Sequence, residues 1–227
     1  FNFIRRKTKK ISYTTKIIAV ITTTLVTFGT FTLFVTTPGI TLLEAFFQST
    51  TAMTTAGFNT VNIGQLSSCS LLILILLMCI GGSPSGTAGG IKTTAFASVL
   101  AITYNRLRLN NRVEFLGKRI PLVRLYAATS TLMIYMVSLF ISIFLLTWTE
   151  NLPFLSLAFE SASALGTAGL STGITTELSV LGKLIIIATM LVGRIGVVTF
   201  GMAILGTDED ENDEQDEKPA EREDVAV

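Results

Sequence analysis

The chain has 227 residues, of which 49% are hydrophobic and 15% are charged, and its formal net charge is +1. So low a charge content is unusual for a soluble domain. The sequence contains no histidine, which excludes histidine-based acid–base catalysis and removes the commonest transition-metal ligand. No nucleophile–base pair, metal cluster or nucleotide-binding loop is present either. We therefore expect a protein that is not an enzyme and that binds no cofactor.

Charge is distributed very unevenly along the chain. The stretches 17–43, 49–91 and 125–149 contain no Asp, Glu, Lys or Arg, and each exceeds the roughly 20 residues that a helix needs to cross a bilayer. Most basic residues lie in 5–16 and 106–124, and such clusters mark cytoplasmic segments. We predict a multi-pass protein of the plasma membrane, with both termini in the cytoplasm, lipid around it and no nucleic-acid partner.

The first predicted unit covers 14–104 and follows a basic cytoplasmic segment over 1–13. Its first element is a Thr-rich apolar helix over 14–35, in which the hydroxyls can bond backward to carbonyls or across to neighbouring helices. A shorter helix over 40–53 would cover roughly 21 Å. That length is marginal for a span and indicates a re-entrant helix.

The next helix begins near Gln65 and is predicted to break before it resumes over 91–104. The interruption consists of Gly81, Gly82, Ser83, Pro84, Ser85, Gly86, Thr87, Ala88, Gly89 and Gly90. Five glycines and a proline in ten residues are incompatible with a continuous helix. Non-helical backbone at membrane depth must be buried in protein or line a water-filled cavity. The segment is therefore functional or structurally demanding.

A basic cytoplasmic linker over 105–121 leads to the second predicted unit, over 122–206. This unit begins with a span over 122–149. A short helix opened by Pro153 follows, because proline is tolerated where a helix starts. A final span is expected over 178–205, so the order of elements repeats that of the first unit.

The repeat is visible in the sequence itself. Phe47–Thr60 returns 112 residues later as Phe159–Thr172, with seven of fourteen positions identical, where about one is expected from average residue usage. Each copy is a short helix of small residues that runs into Thr-Ala-Gly. The order of span, re-entrant helix, loop and span therefore occurs twice, as a parallel repeat.

The two loops have the composition of an ion-selectivity filter. Rings of backbone carbonyls can replace the hydration shell of a potassium ion, and glycine supplies the positive φ that turns successive carbonyls to one side. The short helix before each loop directs its partially negative end towards the cation. The alternative is that small residues only let helices pack closely, which two copies in the same context make less favourable. The predicted filter residues are Thr54, Thr55, Ala56, Gly57, Gly166, Thr167, Ala168 and Gly169.

From about Lys9 to Leu205 these motifs resemble the Trk/Ktr/HKT superfamily of potassium transporters. The resemblance implies an all-α integral membrane fold with four M1–pore helix–M2 units arranged pseudo-fourfold around a pore. It implies that Gly57 and Gly169 are filter glycines of the third and fourth units. It also implies that the segment 81–90 is an intramembrane gate and that Arg194 is the arginine near that gate.

Arg194 is also expected to matter on physical grounds. An arginine within a long apolar segment is costly in lipid and should face a cavity or a partner. It would then act as an electrostatic barrier or bond the carbonyls of the gate, whereas the alternative is snorkelling to an interface. For Lys92 two explanations are equally good: a role at the gate, or a basic residue that only marks the cytoplasmic half of the broken helix. Glu44 and Glu160 could attract cations, and ordinary surface charge explains them at least as well.

The predicted function is potassium uptake through the filter, with K+ as the transported ion. The alternatives are a sodium-selective or non-selective transporter of the same superfamily, and a non-conducting fragment of a transporter gene. The resemblance implies a homodimer and a cytosolic nucleotide-binding regulatory subunit, which the linker or an acidic, disordered cytoplasmic tail over 207–227 could contact. Two units supply only half of a four-unit pore. We therefore expect either that two N-terminal pore units are missing from this sequence or that two copies of the chain assemble.

Overall fold

The computed structural model describes residues 12–83, 88–109, 113–115 and 118–199. The elements are α1 (Tyr13–Thr36), α2 (Leu42–Thr54), α3 (Ser68–Cys79), α4 (Thr93–Leu107), β1 (Glu114–Phe115), β2 (Lys118–Arg119), α5 (Leu122–Thr149), α6 (Phe154–Leu165) and α7 (Val180–Ile195), with single 3-10 turns at Ile63–Gln65 and Ile174–Thr176. The strands form one small antiparallel hairpin. The described chain is thus helical, as predicted, whereas the predicted tail over 207–227 and most of the segment 1–13 lie outside the described residues.

Two described helices, α1 and α5, are long and apolar enough to cross a membrane. Their outer faces are hydrophobic rather than polar: Phe31 is 67% exposed, Phe140 69% and Trp148 78%. A soluble protein rarely exposes apolar patches of this extent. Lipid tails are the solvent that suits such a surface, and a tryptophan at the end of α5 fits the membrane–water interface.

Four threonines of α1 donate their hydroxyls to carbonyls within the helix. Thr27, Thr30 and Thr32 each donate to the carbonyl four residues earlier, at 2.7–2.9 Å. Thr36 does the same, and its hydroxyl also lies 2.7 Å from that of Ser70 in α3. The expectation that these hydroxyls bond backward and across helices is confirmed, which explains how a Thr-rich helix is stable in an apolar environment.

The short helices have different N-terminal caps. In α2, Thr41 accepts a hydrogen bond from the backbone N–H of Glu44, and the Glu44 carboxylate accepts one from the backbone N–H of Thr41 at 2.8 Å. This reciprocal capping box gives Glu44 a structural role at the surface. Pro153 precedes the first residue of α6, where its missing N–H costs nothing.

The helix α6 lies at the centre of the molecule, and every residue from 157 to 165 is buried. Phe159 packs in one hydrophobic cluster with Leu33, Leu74 and Leu77 from the preceding half of the chain. The two halves therefore share a core. This core holds the C-terminal ends of the short helices in fixed positions.

The boundaries differ from the predictions at the ends of α3 and α4. The 3-10 turn Ile63–Gln65 delays the start of α3 to Ser68, where the Ser67 hydroxyl caps the helix. The predicted linker contains the β1–β2 hairpin, and α4 extends to Leu107. Asn105 of α4 donates to the Glu114 carbonyl at 2.8 Å. Short-range polar pairing decides both details, and hydrophobic periodicity does not report it.

The predicted final span over 178–205 is interrupted at Gly196, and its residues 200–205 lie outside the described residues. The helix α7 ends at Ile195, and Gly196 has φ of +97°, a conformation that a glycine adopts without strain. Its N–H caps the Val192 carbonyl at 3.1 Å. The apolar pattern that continues past this residue concealed the break.

Close backbone contact sets the crossing of α7 over α6. A Cβ atom on Gly193 would lie 2.2 Å from the carbonyl oxygen of Leu165, the last residue of α6. Only glycine permits this approach, and small residues play the same part at other membrane helix interfaces.

We predict that Gly193→Ala destabilises the protein by about 1–3 kcal/mol, the usual cost of overpacking, because the added methyl group must displace backbone. Fluorescence-detected melting in detergent measures the change. The matched control is Ile187→Val, which also alters α7 by one carbon but on a face that is 58% exposed. Equal melting temperatures for Gly193→Ala and the parent protein would contradict the packing argument.

Candidate ion-conduction site

The two Thr-Ala-Gly loops have the same backbone conformation. Thr55 and Thr167 have φ of 54° and 53°, and Gly57 and Gly169 have φ of 81° and 80°. Positive φ is uncommon for a β-branched residue and marks a functional or strained site. The alternation that turns successive carbonyls is therefore present in both loops.

The hydrogen bonds that start the loops are also equivalent. The N–H of Ala56 donates to the Thr51 carbonyl at 3.0 Å, and that of Ala168 donates to the Ser163 carbonyl at 2.9 Å. Because both bonds reach back into the final turn of the short helix, each loop is an extension of its helix C-terminus. Thr54 is the last residue of α2, and its counterpart Gly166 caps α6.

The loops approach each other at their glycines. A Cβ atom on Gly57 would lie 2.8 Å from the Ala168 carbonyl oxygen and 3.5 Å from the Gly169 Cα. The structure thus brings together the two predicted filter segments, which are more than 100 residues apart in sequence. A side chain at Gly57 would collide with the opposing backbone.

Side chains from the short helices fasten the far ends of the loops. The Glu160 carboxylate accepts hydrogen bonds from the backbone N–H and the hydroxyl of Thr172, and the Gln48 side chain accepts one from the backbone N–H of Thr60. Glu160 is 6% exposed and Gln48 is fully buried. Sequence reasoning left Glu160 as an undecided surface charge and did not consider Gln48. The sequence signal that could have identified both residues is that they occupy equivalent positions in the repeat.

The broken helix closes on itself. The N–H of Ile91 donates to the Cys79 carbonyl at 2.8 Å, and a Cβ atom on Gly90 would lie 2.8 Å from the same carbonyl oxygen. The chain therefore leaves α3 and returns to nearly the same point before α4 begins. This hydrogen bond across the break gives partners to a backbone N–H and a carbonyl that have none within a helix at this point.

The part of this segment that leads into α4 contacts the second loop directly. A Cβ atom on Gly89 would lie 2.3 Å from the Gly166 carbonyl oxygen and 2.4 Å from the Thr167 hydroxyl. Gly81, Gly82 and Ser83 lie on the outgoing side. The remaining predicted gate residues, Pro84, Ser85, Gly86 and Thr87, fall outside the described residues.

A cavity of about 400 Å³ lies beside this contact. Its lining includes Ala88, Gly89, Thr167 and Arg194, so Arg194 faces the region that the family resemblance implies. Lys92 also lines it and donates to the Ala88 carbonyl, so its side chain contacts the broken helix. Two cations thus border a cavity that joins the broken helix to the second loop.

Comparison with protein-family models identifies this architecture. The model of TrkH, described as a cation transport protein, matches residues 9–211. The Ktr system potassium uptake protein B of Bacillus subtilis is 38% identical over 170 residues, covering 74% of this chain and 38% of the relative. The potassium/sodium uptake protein NtpJ of Enterococcus hirae is 33% identical over 213 residues, covering 88% and 47%. The chain spans less than half the length of these relatives.

A solved structure has the same fold. The crystal structure of the potassium transporter TrkH from Vibrio parahaemolyticus aligns with a TM-score of 0.69 at 21% identity, covering 86% of this chain and 44% of that one. The family match extends over nearly all of the described residues and includes both loops and the broken helix. The chain is therefore a member of the TrkH family of cation transport proteins, and not of a family of enzymes.

Proposed function

We propose that this protein takes up potassium across the plasma membrane through a filter formed by 54–57 and 166–169. The observation that carries the proposal is the convergence of two loops with the same alternating backbone at Gly57 and Gly169. Carbonyl rings of this kind bind a dehydrated cation without leaving a net charge to trap it. Relatives named as potassium uptake proteins support the choice of ion.

We propose that the segment 81–90 gates this path together with Arg194. The contact of Gly89 with Gly166 and Thr167 supports direct coupling between the segment and the filter. The cavity shared by Ala88 and Arg194 supports a role for the guanidinium below the filter. A positive charge there opposes cation passage, and its N–H groups suit the free carbonyls of an unwound segment.

The complete conductor requires more than these two quadrants. We propose that further pore units, on a longer polypeptide or on a second copy, complete a pseudo-fourfold ring, as the greater length of the relatives suggests. We further propose a homodimer in the lipid bilayer, with both termini cytoplasmic and a cytosolic regulatory subunit bound there. The linker over 105–121 and the tail over 207–227 are the proposed contacts.

Sodium transport is the second candidate function, because the relative NtpJ is named a potassium/sodium uptake protein. Rubidium uptake in cells that lack their own potassium transport, measured with sodium or potassium as competitor, separates the two. Potassium should compete far better than sodium. Equal competition would contradict potassium selectivity.

We predict that Gly57→Ser lowers the preference for potassium over sodium about tenfold, since a non-glycine residue at positive φ costs about 1–3 kcal/mol. The new side chain would also meet the Ala168 carbonyl oxygen at 2.8 Å. Gly169→Ser should have a smaller effect, because its Cβ position has only an ordinary contact of 3.5 Å.

The control for both variants is Gly39→Ser. Gly39 also has positive φ, at 83°, but its Cβ position has no neighbour within 4 Å and it lies in the α1–α2 turn. Backbone strain alone would therefore affect all three variants alike. A selectivity change in Gly39→Ser as large as that in Gly57→Ser would argue against a filter at Gly57.

We also predict that Arg194→Gln raises the rate of potassium uptake by about tenfold or removes its regulation, because it removes a positive charge from the cavity beneath the filter. Initial rubidium uptake per molecule in the membrane is the measurement. Lys183→Gln makes the same charge change on an exposed part of α7. Unchanged rate and regulation in Arg194→Gln would exclude the proposed role.

A further inference from the structure

The carboxylate of Glu160 accepts four hydrogen bonds beside the second loop. Its Oε1 accepts from the Ser171 hydroxyl at 2.7 Å, the Thr172 N–H at 2.8 Å and the Thr172 hydroxyl at 3.0 Å. Its Oε2 accepts from the Thr175 hydroxyl at 2.9 Å. All three donor residues follow Gly169, so one side chain of α6 holds the chain as it leaves the loop.

The donor set suits an ionised carboxylate. That group only accepts hydrogen bonds, and all four of its partners here donate, three to Oε1 and one to Oε2. An amide or a protonated acid in the same place would have to donate through one of its positions. Each of the four donors is a neutral group.

The equivalent position in the first half differs in charge and in hydrogen bonding. Gln48 accepts from the Thr60 N–H at 3.4 Å, and its Nε2 has no hydrogen-bond partner among the described residues. Asn59, the counterpart of Ser171, donates instead to the Val61 carbonyl. The first loop is therefore attached to α2 by two bonds to neutral groups, this one and a 3.0 Å bond from the Phe58 N–H to the Thr51 hydroxyl. The second is attached by four bonds of 2.7–3.0 Å to one carboxylate.

The charge lies where a cation in the second loop would experience it. Glu160, Thr167 and Gly169 line a common cavity of about 400 Å³, and the Arg194 side chain also lines it. Electrostatic interactions are much stronger there than in bulk water, because a protein interior screens charge poorly. The same hydrogen bonds fix the position of the backbone that provides the carbonyls.

We propose that Glu160 is a positioning residue that sets the geometry and the cation affinity of the second filter loop, and that the two filter loops are consequently unequal. The second loop, held by four bonds to the Glu160 carboxylate, is the more rigid one, and the first loop, held by two bonds to Thr51 and Gln48, is the more adaptable one. This inference rests on the proposed function of the loops as a filter.

The test compares Glu160→Gln with Glu150→Gln. Glu150 is a matched control because it also accepts hydrogen bonds, from the Ser179 N–H at 3.2 Å and from the Ser179 hydroxyl, but these donors belong to the N-cap residue of α7 and not to either loop. Rubidium uptake with sodium as competitor is measured at equal amounts of protein in the membrane. Glu160→Gln should lower the preference for rubidium about tenfold, the size expected for losing one charge-assisted hydrogen bond, and Glu150→Gln should not.

A second variant keeps the test valid if Glu160→Gln fails to reach the membrane. The double variant Ser171→Ala and Thr175→Ala keeps the carboxylate and removes two of its four donors. It should shift the preference in the same direction by a smaller factor. Normal preference in both variants would overturn the proposal, as would an equal shift in Glu150→Gln.

Ion-dependent melting of the purified protein separates this proposal from the proposed function. A cation that binds the folded state raises the melting temperature, so potassium should stabilise the parent protein more than sodium does. Glu160→Gln should lose that difference and Glu150→Gln should keep it. Absence of uptake by the complete assembly, this chain together with its further pore units, would contradict the proposed function. A parent protein that transports, with unchanged melting and preference in Glu160→Gln, would contradict only the role of Glu160.

Discussion

The structure depends on one constraint, that unwound backbone at membrane depth must find its partners within the protein. The chain is unwound in the two Thr-Ala-Gly loops and in the interruption between α3 and α4. These segments pack against one another: Gly57 against Ala168, and Gly89 against Gly166. Glycine at the contacts allows main chains to approach more closely than any side chain would permit.

The surrounding helices make this arrangement possible. The helix α6 is buried along most of its length, and its Phe159 belongs to a core shared with α1 and α3. Capping and backbone contacts then orient the short helices, whose carbonyl ends lead into the loops. Lipid-facing residues such as Phe140 contribute to the outer surface. Rigidity at the centre and an apolar exterior therefore arise from the same helices.

Much of the fold was predictable because its signals are local. Charge-free stretches predicted α1 and α5, the repeat predicted two similar loops, and the glycine-rich segment predicted the break after α3. The end of α7 at Gly196 was not predictable from apolar pattern, which continues past it. The role of Glu160 was hidden as well, since its donors follow eleven to fifteen residues later and hydroxyl residues occur throughout the chain.

The sequence by itself determined that the chain is helical, apolar on its outside and duplicated, because hydrophobicity and glycine content act residue by residue. Only the tertiary structure decided which backbones touch. It set Gly57 against the second loop, Gly89 against Thr167, and Arg194 beside the broken helix. It also made Glu160 a buried acceptor and left Gln48 weakly bonded. Such pairings depend on distances across the core, and residue type alone does not encode them.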